Sequence, residues 1–282
     1  MRPRIAFVVE QRYLRQGMPR AAIELLEARG VRPDVLCPRD GRFDPGTGVF
    51  HAEAGQRFDL HRYDLVVART RDPFGLAILA YCEAAGIRTI NSYAATERVR
   101  NKAQMTIALE RAGVPCGPTV LASDVSVLGE LPDDWFPLLI KATYGDNSQG
   151  LRLIRRRDEL GDVHWPEALV LAQHYLPNDG FDLKLYVCGE RVFATRKPSP
   201  FNGNPRAAAR PETPTPELEE LALRCGRVFG LDIYGVDTIE TPGGPAVIEV
   251  NEFPNFTAVP DAATRVVDFV LSRVPAHPGV AA

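Results

Sequence analysis

The chain has 282 residues, of which 45% are hydrophobic and 24% are charged, and its formal net charge at pH 7 is −3. A chain of this length can bury a large core and is expected to form roughly one to three subdomains. The slightly acidic balance lacks the basic excess of a nucleic-acid-binding protein, and no apolar run is long enough to span a bilayer, so neither nucleic acid nor a membrane is a predicted partner.

Strands and helices alternate over the first part of the chain. Residues 5–9, 33–36, 65–68 and 89–90 are runs that predict strands, and residues 20–29 and 74–85 predict helices that each end before a glycine. The first run is too short for a signal peptide and is interpreted as a core strand. The segment around residues 44–48 is interpreted as a loop. This order is typical of right-handed parallel units and predicts an open α/β layer.

Two arginines, Arg69 and Arg71, come just after the third of these strands. Open α/β sheets bind ligands beyond the carboxyl ends of their strands, so both arginines are candidates for substrate binding. The alternative, that both are loop residues without a functional role, is given equal weight. No GxGxxG pattern follows Val9, which disfavours a Rossmann-type dinucleotide site.

The middle of the chain carries two lysines, one in a predicted helix and one at the end of a predicted strand. A helix is predicted over residues 96–112 and includes Lys102, and an apolar strand at residues 138–141 closes on Lys141. A further strand is predicted at residues 151–154. Buried lysine head groups on apolar strands need an anionic partner.

Residues 143–150, between those two strands, read TYGDNSQG. Gly145 and Gly150 have the spacing of a P-loop, but Leu151 and Arg152 stand where a P-loop requires Lys followed by Ser or Thr. Backbone N–H groups of a glycine-bounded hairpin can nevertheless close on phosphate oxygens. Taken alone, such a loop is more often a simple turn.

Further β-structure is predicted beyond this loop. Residues 169–172, 183–188 and 192–196 predict strands, and residues 218–229 predict an amphipathic helix that ends before a glycine. The segment at residues 198–216 is rich in Pro, Asn, Ala and Arg. At that length it is interpreted as either disordered or a lid over a site.

A β-hairpin near the C-terminus gathers polar side chains. Residues 233–239 and 247–250 predict two strands joined by the turn sequence TPGGP. Period-two alternation puts Glu249 and Asn251 on one face, and antiparallel pairing brings Asp237 beside Glu249. Such oxygen ligands suit Mg²⁺ bound jointly with nucleotide phosphates. A solvated sheet face is the alternative, and spacing alone leaves it open.

The five cysteines show no CxxC pair and lie mostly in apolar segments, at Cys37, Cys82, Cys116, Cys188 and Cys225. They are interpreted as reduced thiols of a cytoplasmic protein, because disulfide and zinc frameworks use paired spacings. A last helix is predicted over residues 262–274.

The sequences GVDTIE and IEVNEFPNFTAVP resemble the closing motif of the ATP-grasp superfamily, in which an Asp and a Glu-x-Asn hold magnesium against a triphosphate. Similar pieces occur in the same order from residue 93 onward. The nearest similarity is to the ribosomal-protein glutamate ligase (RimK-like) group. The run DLKLYVCG, with RKPS after it, is also similar to the inositol trisphosphate kinases of the same superfamily.

The resemblance implies an α/β fold that becomes α+β toward the C-terminus, namely an ATP-grasp fold preceded by an open α/β pre-grasp domain. Its parts would be the pre-grasp domain (1–92), a central subdomain with the phosphate loop and hinge (93–180), a C-terminal subdomain with the metal site (181–275) and a flexible tail (276–282).

The resemblance also implies which residues contact ATP and the metal. The matched positions are Lys102 and Lys141 at the α- and β-phosphates, Tyr144, Gly145, Ser148 and Gly150 in the phosphate-covering loop, Gln173, His174, Tyr175 and Leu176 at adenine, and Asp182 at ribose or substrate. The metal ligands would be Asp237, Glu249 and Asn251. The implied metal is Mg²⁺, with Mn²⁺ as an alternative.

Other matched positions would act on the substrates. Lys184 stands where the family often directs a cation at the γ-phosphate, and it forms the implied catalytic set with Arg196 and Lys197. The implied substrate contacts are Arg69, Arg71, Ser199 and Asn255. Asn255 replaces the glycine of the family's Pro-Gly-Phe turn, and asparagine tolerates the left-handed backbone expected there.

The function implied is an ATP-dependent ligase that joins a carboxylate to an amine through an acyl phosphate and releases ADP and phosphate. Its substrates would be small molecules or peptides. A small-molecule kinase of the inositol phosphate type would use the same machinery on a hydroxyl group. A nucleotide-binding module without turnover is a third hypothesis, disfavoured by the complete set of metal ligands. The sequence leaves homo-oligomer formation open.

Overall fold

The computed structural model describes residues 2–53, 55–145, 150–201, 204 and 207–275. Up to residue 90 the elements are β1 (Ile5–Val9), α1 (Gln11–Leu14), α2 (Gly17–Ala28), β2 (Asp34–Leu36), β3 (Gly41–Asp44), β4 (Val49–Ala52), β5 (Arg57–Asp59), β6 (Leu65–Arg69), α3 (Pro73–Ala84) and β7 (Thr89–Ile90). Then come α4 (Tyr93–Arg100), α5 (Lys102–Arg111), β8 (Thr119–Ala122), β9 (Leu138–Lys141), β10 (Leu151–Ile154), β11 (Val170–His174), β12 (Phe181–Cys188), β13 (Arg191–Pro198), β14 (Arg210–Glu212), α6 (Pro216–Phe229), β15 (Ile233–Thr241), β16 (Gly244–Glu252) and α7 (Ala262–Arg273).

The first sheet is parallel, with strand order β2-β1-β6-β7, which confirms the predicted parallel unit. Every residue of β1 is buried, because helices or strands cover both faces of the sheet. Ile5 and Phe7 join a core with α2 and α7, whereas Ala6 and Val8 join a second core with α3. The last helix of the chain therefore shares a core with its first strand.

A three-stranded antiparallel sheet, β3-β4-β5, occupies the region around residues 44–48. The predicted loop is confirmed as the turn at residues 45–48, but strands β3 and β4 lie directly on either side of it. Asp44 holds the turn, since its carboxylate accepts hydrogen bonds from the Gly46 N–H and the Thr47 hydroxyl at 2.9 Å each. These strands are too short to show a clear period-two pattern in the sequence.

The single helix predicted over residues 96–112 is wrong, because the chain leaves helical geometry at Asn101, which has ψ 101°. The Asn101 side chain caps α5 by accepting the Gln104 N–H at 3.0 Å. Lys102 thus becomes the first residue of a new helix, and its N–H donates to the Thr143 carbonyl at 3.0 Å.

Two antiparallel sheets form the rest of the fold, with strand orders β10-β9-β11-β8 and β14-β13-β12-β15-β16. Each packs on its own apolar core, and α5 and α6 cover one face of the larger sheet. The strands predicted at residues 138–141 and 151–154 are confirmed as an antiparallel pair.

The segment at residues 198–216 contains a strand that sequence reasoning missed. β14 pairs with β13 at the edge of the larger sheet, with Arg196 opposite Arg210. The interpretation of the whole segment as disorder or a lid is therefore wrong for residues 210–212. It is also wrong for Pro198, which ends β13, and for Pro216, which begins α6. Residues 202, 203, 205 and 206 lie outside the described residues, and for the rest of the segment the lid remains a prediction.

None of the described helices is long and apolar enough to cross a membrane. All five cysteines are free thiols, as expected, and Cys82, Cys188 and Cys225 are buried. The cytoplasmic location and the domain boundaries at residues 92 and 180 remain predictions. The proposed tail at 276–282 lies outside the described residues.

Candidate active site

A cleft of about 310 Å³ lies between the two antiparallel sheets. Most of the residues that the family resemblance singled out line it: Lys102, Lys141, Gly145, Gly150, Gln173, His174, Tyr175, Leu176, Asp182, Lys184, Lys197, Ser199, Asp237, Glu249 and Asn251. They come from both sheets and from the start of α5. We call this space the main cleft.

The predicted hairpin is confirmed and forms one wall of the main cleft. Asp237 on β15 stands directly opposite Glu249 on β16. Asn251 follows two positions later on the same face, and its amide donates to Asp237 Oδ2 at 3.0 Å. Antiparallel pairing and period-two alternation, both readable in the sequence, account for this convergence.

Two lysines contact Asp237 from the neighbouring strands. Lys184 on β12 pairs with Asp237 across the sheet, and its Nζ lies 3.1 Å from Oδ2. Lys197 Nζ, from β13, lies 3.3 Å from Oδ1. Burial opposes ionisation of Asp237, but the charges of Lys184 and Lys197 outweigh it and lower the pKa of this carboxyl. Asp237 and Lys184 are therefore both charged at neutral pH.

The two lysines nearest the phosphate loop differ in their partners. Lys102 forms an ion pair with Glu249. Lys141 is buried and donates to Gln173 Oε1 at 2.6 Å, but it makes no ion pair with any described residue. Burial lowers the pKa of Lys141 to about 8. A buried cation without an anionic partner is costly, which makes Lys141 a strong candidate for phosphate binding.

The hinge segment, residues 173–176, lines the main cleft, and most of its backbone N–H groups donate hydrogen bonds within the protein. The N–H groups of His174 and Tyr175 donate to the carbonyls of Pro118 and Pro137 at 2.9 Å each. Among the described residues, none accepts a hydrogen bond from the Leu176 N–H. The His174 ring packs edge-on against Trp135, and its Nδ1 lies 3.1 Å from the Trp135 carbonyl oxygen.

Asp182 is buried and lines the main cleft. The Asn178 amide donates to Asp182 Oδ1 at 2.9 Å. Burial raises the pKa of Asp182, and the nearby Lys197 offsets this effect only in part.

Two of the predicted ATP or catalytic residues that the structure describes, Arg196 and Tyr144, do not line the main cleft. Arg196 lies on the opposite face of β13 from Lys197, because successive side chains of a strand alternate. Its guanidinium binds Glu212 at 2.7 Å, Glu240 at 2.9 Å and Asp179 at 3.2 Å. The Arg196 guanidinium therefore lies away from the main cleft, which does not agree with the prediction that Arg196 is a catalytic residue.

Tyr144 lies beside the main cleft rather than in it. Its hydroxyl accepts from the Asn101 amide at 3.1 Å and donates to Glu97 at 3.3 Å. These contacts tie the start of the phosphate loop to the junction of α4 and α5. Ser148 falls outside the described residues.

A second cavity of about 200 Å³ adjoins the main cleft and shares Lys184 and Asn251 with it. Its other lining residues include Tyr13, Gln16, Arg69, Arg71, Glu252 and Asn255. Arg71 binds Glu252 at 2.7 Å and Asn251 Oδ1 at 3.2 Å. Three of the four predicted substrate contacts therefore lie together here, while Ser199 lines the main cleft.

Glu10 is a residue of this region that sequence reasoning missed. Its carboxylate accepts hydrogen bonds from the backbone N–H groups of Arg71 and Asp72, the latter at 3.0 Å, and binds Arg12 at 2.8 Å. It thus holds the loop that presents Arg71. Glu10 follows the carboxyl end of β1, so the rule that singled out Arg69 also applied to it.

The backbone around Asn255 differs from the prediction. Phe253 and Phe256 have positive φ angles of 34° and 50°, and Asn255 is not among the residues with positive φ. The left-handed geometry expected at Asn255 is therefore wrong, and the turn places that conformation on the flanking aromatic residues instead. Non-glycine residues in this region of backbone space are strained and cluster at functional sites.

The hairpin side chains fit a magnesium ion that is also held by phosphates. Asp237 Oδ1 is buried and accepts no well-aligned hydrogen bond. Among the described residues, no group of three or more His, Cys, Asp or Glu side chains is placed to hold a metal by itself. Two carboxylates and an amide oxygen match the few protein ligands that Mg²⁺ takes when phosphates complete its shell.

Comparison with known proteins agrees with this geometry. The family model of the RimK-like ATP-grasp domain matches residues 99–269 of this chain. A probable alpha-L-glutamate ligase of Serratia proteamaculans is 28% identical over 274 residues, which cover 89% of this chain and 90% of that protein.

Two solved structures share the fold at low sequence identity. A RimK domain ATP-grasp protein from Sphaerobacter thermophilus has a TM-score of 0.71 and 19% identity, covering 95% of this chain and 99% of that one. The ATP-grasp ligase PsnB, complexed with precursor peptide PsnA2 and AMPPNP, also has a TM-score of 0.71 and 19% identity, covering 96% and 97%.

Proposed function

The chain belongs to the RimK-like ATP-grasp family, and on that premise we propose that the main cleft is the active site of an ATP-dependent ligase that joins a carboxylate to an amine. The observation that carries the proposal is Lys141, which is buried in the cleft without an ion pair to any described residue. A triphosphate supplies the missing negative charge. The hairpin that carries Asp237 and Glu249 faces the same space.

ATP fits the cleft with its adenine at the hinge. The Leu176 N–H has no acceptor among the described residues, so it is available to a ring nitrogen of adenine. Lys141 and Lys102 then meet the phosphates. Lys102 begins α5, where the first N–H groups of the helix add positive charge. Glycines 145 and 150 flank the loop that would close over the phosphates.

Asp237, Glu249 and Asn251 would hold Mg²⁺ against these phosphates. A magnesium ion bound there neutralises the charge that develops as the γ-phosphoryl group is transferred. PsnB has been solved with Mg and ADP, which supports Mg²⁺ for this chain as well. Mn²⁺ remains an alternative.

The reaction needs no nucleophile from the protein. A carboxylate oxygen of the acid substrate attacks the γ-phosphorus, and the bond to ADP breaks. The nitrogen of the amine then attacks the acyl carbon, the amine loses a proton, and phosphate leaves with the former carboxylate oxygen. Lys184 and Lys197 lie where they can stabilise the transferred phosphoryl group, and each is fixed by Asp237.

The relatives indicate substrates that carry carboxylates and amines. The Serratia protein is named for glutamate and PsnB is bound to a precursor peptide. We propose that one substrate of this chain is likewise an amino acid or a peptide. The kinase alternative is not favoured, because these proteins are described as ligases.

Hydroxylamine trapping tests the proposal. The protein is given Mg-ATP, hydroxylamine and a panel of amino acids and peptides with free carboxylates. We expect a hydroxamate together with ADP and free phosphate in equal amounts, and none when the acid is omitted. ADP formed without free phosphate, with phosphorus covalently attached to the acceptor, would contradict a ligase and indicate a kinase.

A further inference from the structure

Arg69 stands out among the charged residues of the second cavity because of where its guanidinium lies. It is 7% exposed and packs 4.6 Å from the ring centre of Tyr13 and 6.0 Å from that of Phe253. Its Nη2 donates to Gln16 Oε1 at 2.7 Å. The two rings and the glutamine fix its position, so little entropy is lost when it binds a ligand.

The same guanidinium lacks an anionic partner. Arg69 Nη1 is buried and has no hydrogen-bond partner among the described residues, and Arg69 makes no ion pair with them. Burial lowers the pKa of Arg69 to about 10. A buried arginine with a free donor is costly unless a ligand supplies an acceptor.

The charges around Arg69 indicate a ligand with one negative charge. In this cavity Arg71 pairs with Glu252, and Lys184 pairs with Asp237, which also pairs with Lys197. Among the described lining residues of this cavity, Arg69 is the only cation without an ion pair. A single unpaired guanidinium matches a carboxylate in charge and geometry.

Asn255 supplies a complementary group in the same cavity. Its Oδ1 is buried and accepts no hydrogen bond from any described residue. The strained turn between Phe253 and Phe256 presents it. The cavity therefore offers an unused donor on Arg69 and an unused acceptor on Asn255. A molecule that carries both a carboxylate and an N–H group satisfies both.

We propose that the second cavity binds the amine substrate as an α-amino acid, whose carboxylate takes no part in the reaction and is held by Arg69 while its nitrogen donates to Asn255 Oδ1. This inference rests on the proposed function. Because Lys184 and Asn251 line both spaces, an amine held there faces the end of the main cleft where the phosphoryl group is transferred. Arg69 is thus a specificity-determining residue.

Calorimetry with paired ligands tests this inference. With Mg²⁺ and AMPPNP present, the full chain is titrated with three amino acids and with the amines that lack only their α-carboxylate. The pairs are L-glutamate and 4-aminobutyrate, L-lysine and 1,5-diaminopentane, and L-phenylalanine and 2-phenylethylamine. We expect at least one amino acid to bind about tenfold or more tightly than its paired amine, the effect of one hydrogen bond to a charged group.

Variants test whether Arg69 is the residue responsible for this preference. Arg69→Gln should abolish it without changing AMPPNP affinity, and Arg69→Lys should retain part of it. Asn255→Ala should weaken both members of a pair. Arg20→Gln, on the exposed side of α2, is the control and should bind like the wild type. The melting temperature of each variant reports whether it folds.

Two outcomes would overturn the inference. One is that no amino acid binds more tightly than its paired amine, and the other is that the preference survives in Arg69→Gln. Hydroxamate formation is measured on the same preparations. A protein that forms hydroxamates but shows no carboxylate preference refutes this inference alone, whereas a protein that forms none refutes the proposed function.

Discussion

The main cleft and the second cavity differ in how their charges are paired. In the main cleft, Asp237 lies between Lys184 and Lys197, all three on adjacent strands of one sheet. In the second cavity, Arg69 comes from the parallel sheet and has no carboxylate partner among the described residues, while Asn255 comes from the turn after β16. The Asp237 group is thus fixed within one sheet, whereas the second cavity is assembled from distant parts of the chain.

This difference assigns different work to the two regions. Groups that are already paired and rigid, such as Asp237 with Lys184 and Lys197, are suited to positioning phosphates and a metal, since they need no rearrangement during the reaction. A donor and an acceptor that the protein leaves unused are suited to recognising a substrate. Loss of a main-cleft residue should therefore affect turnover with every substrate, whereas loss of Arg69 should affect the choice of substrate.

The largest effect is expected at Asp237. Asp237→Asn removes a carboxylate that holds two lysines and is a candidate metal ligand, so kcat should fall by about 10²–10³-fold or more, the range for one preorganised electrostatic group. Steady-state release of ADP measures it. Glu240→Gln, on the same strand with its carboxylate bound to Arg196, is the matched control and should keep near wild-type kcat. Equal turnover of Asp237→Asn and wild type would remove Asp237 from the site.

Lys141 tests the phosphate side of the main cleft. Lys141→Ala should weaken ATP binding by about 1.5–3 kcal/mol, the range for hydrogen bonds to charged groups. Lys141→Arg keeps the cation and should lose less. Calorimetry with AMPPNP measures both affinities, and an unchanged affinity of Lys141→Ala would show that the phosphates lie elsewhere.

The pH dependence of ATP binding should report the same lysine. Burial lowers the pKa of Lys141 from 10.5 to about 8, so the free protein loses this charge above pH 8. ATP favours the charged form, and its affinity should fall above pH 8 by up to about tenfold per pH unit. The unfolded chain binds this proton more tightly, so the contribution of Lys141 to the unfolding free energy should rise between pH 8 and 10.5. ATP affinity that is independent of pH in this range would contradict the assignment.

Substitutions of the neighbours Arg196 and Lys197 compare the two faces of β13. Lys197→Gln should lower kcat/KM by about tenfold or more, because it removes a cation beside the phosphoryl group. Arg196→Gln should leave kcat/KM nearly unchanged and lower the unfolding free energy by roughly 1–2 kcal/mol, since its partners Asp179, Glu212 and Glu240 are partly screened by solvent. Thermal denaturation and initial rates measure the two effects. A larger loss of activity in Arg196→Gln would reverse this assignment of faces.

Local patterns were sufficient to predict much of the main cleft. Pairing and alternation placed Asp237, Glu249 and Asn251 together, because strand geometry relates sequence spacing directly to space. The same rule, applied to Arg196 and Lys197, would have separated them onto opposite faces.

The second cavity could be predicted only in part. Arg69 and Arg71 were found from their place after a strand, but their contacts with Tyr13 and Glu252 join segments far apart in the chain. Such contacts depend on how the parallel sheet packs against α1 and the end of β16, which no local pattern encodes. The break at Asn101 was missed for a different reason, since its side chain competes with the backbone for the helix hydrogen bond.

The central claim is that a substrate carboxylate becomes an acyl phosphate in the main cleft, and an oxygen label tests it most directly. An acid that the trapping panel identifies is prepared with ¹⁸O in its carboxylate and turned over with Mg-ATP and an amine. The account predicts that each released phosphate carries one ¹⁸O atom, because the attacking carboxylate oxygen leaves with phosphorus. Phosphate free of ¹⁸O, with amide product still formed, would contradict the account.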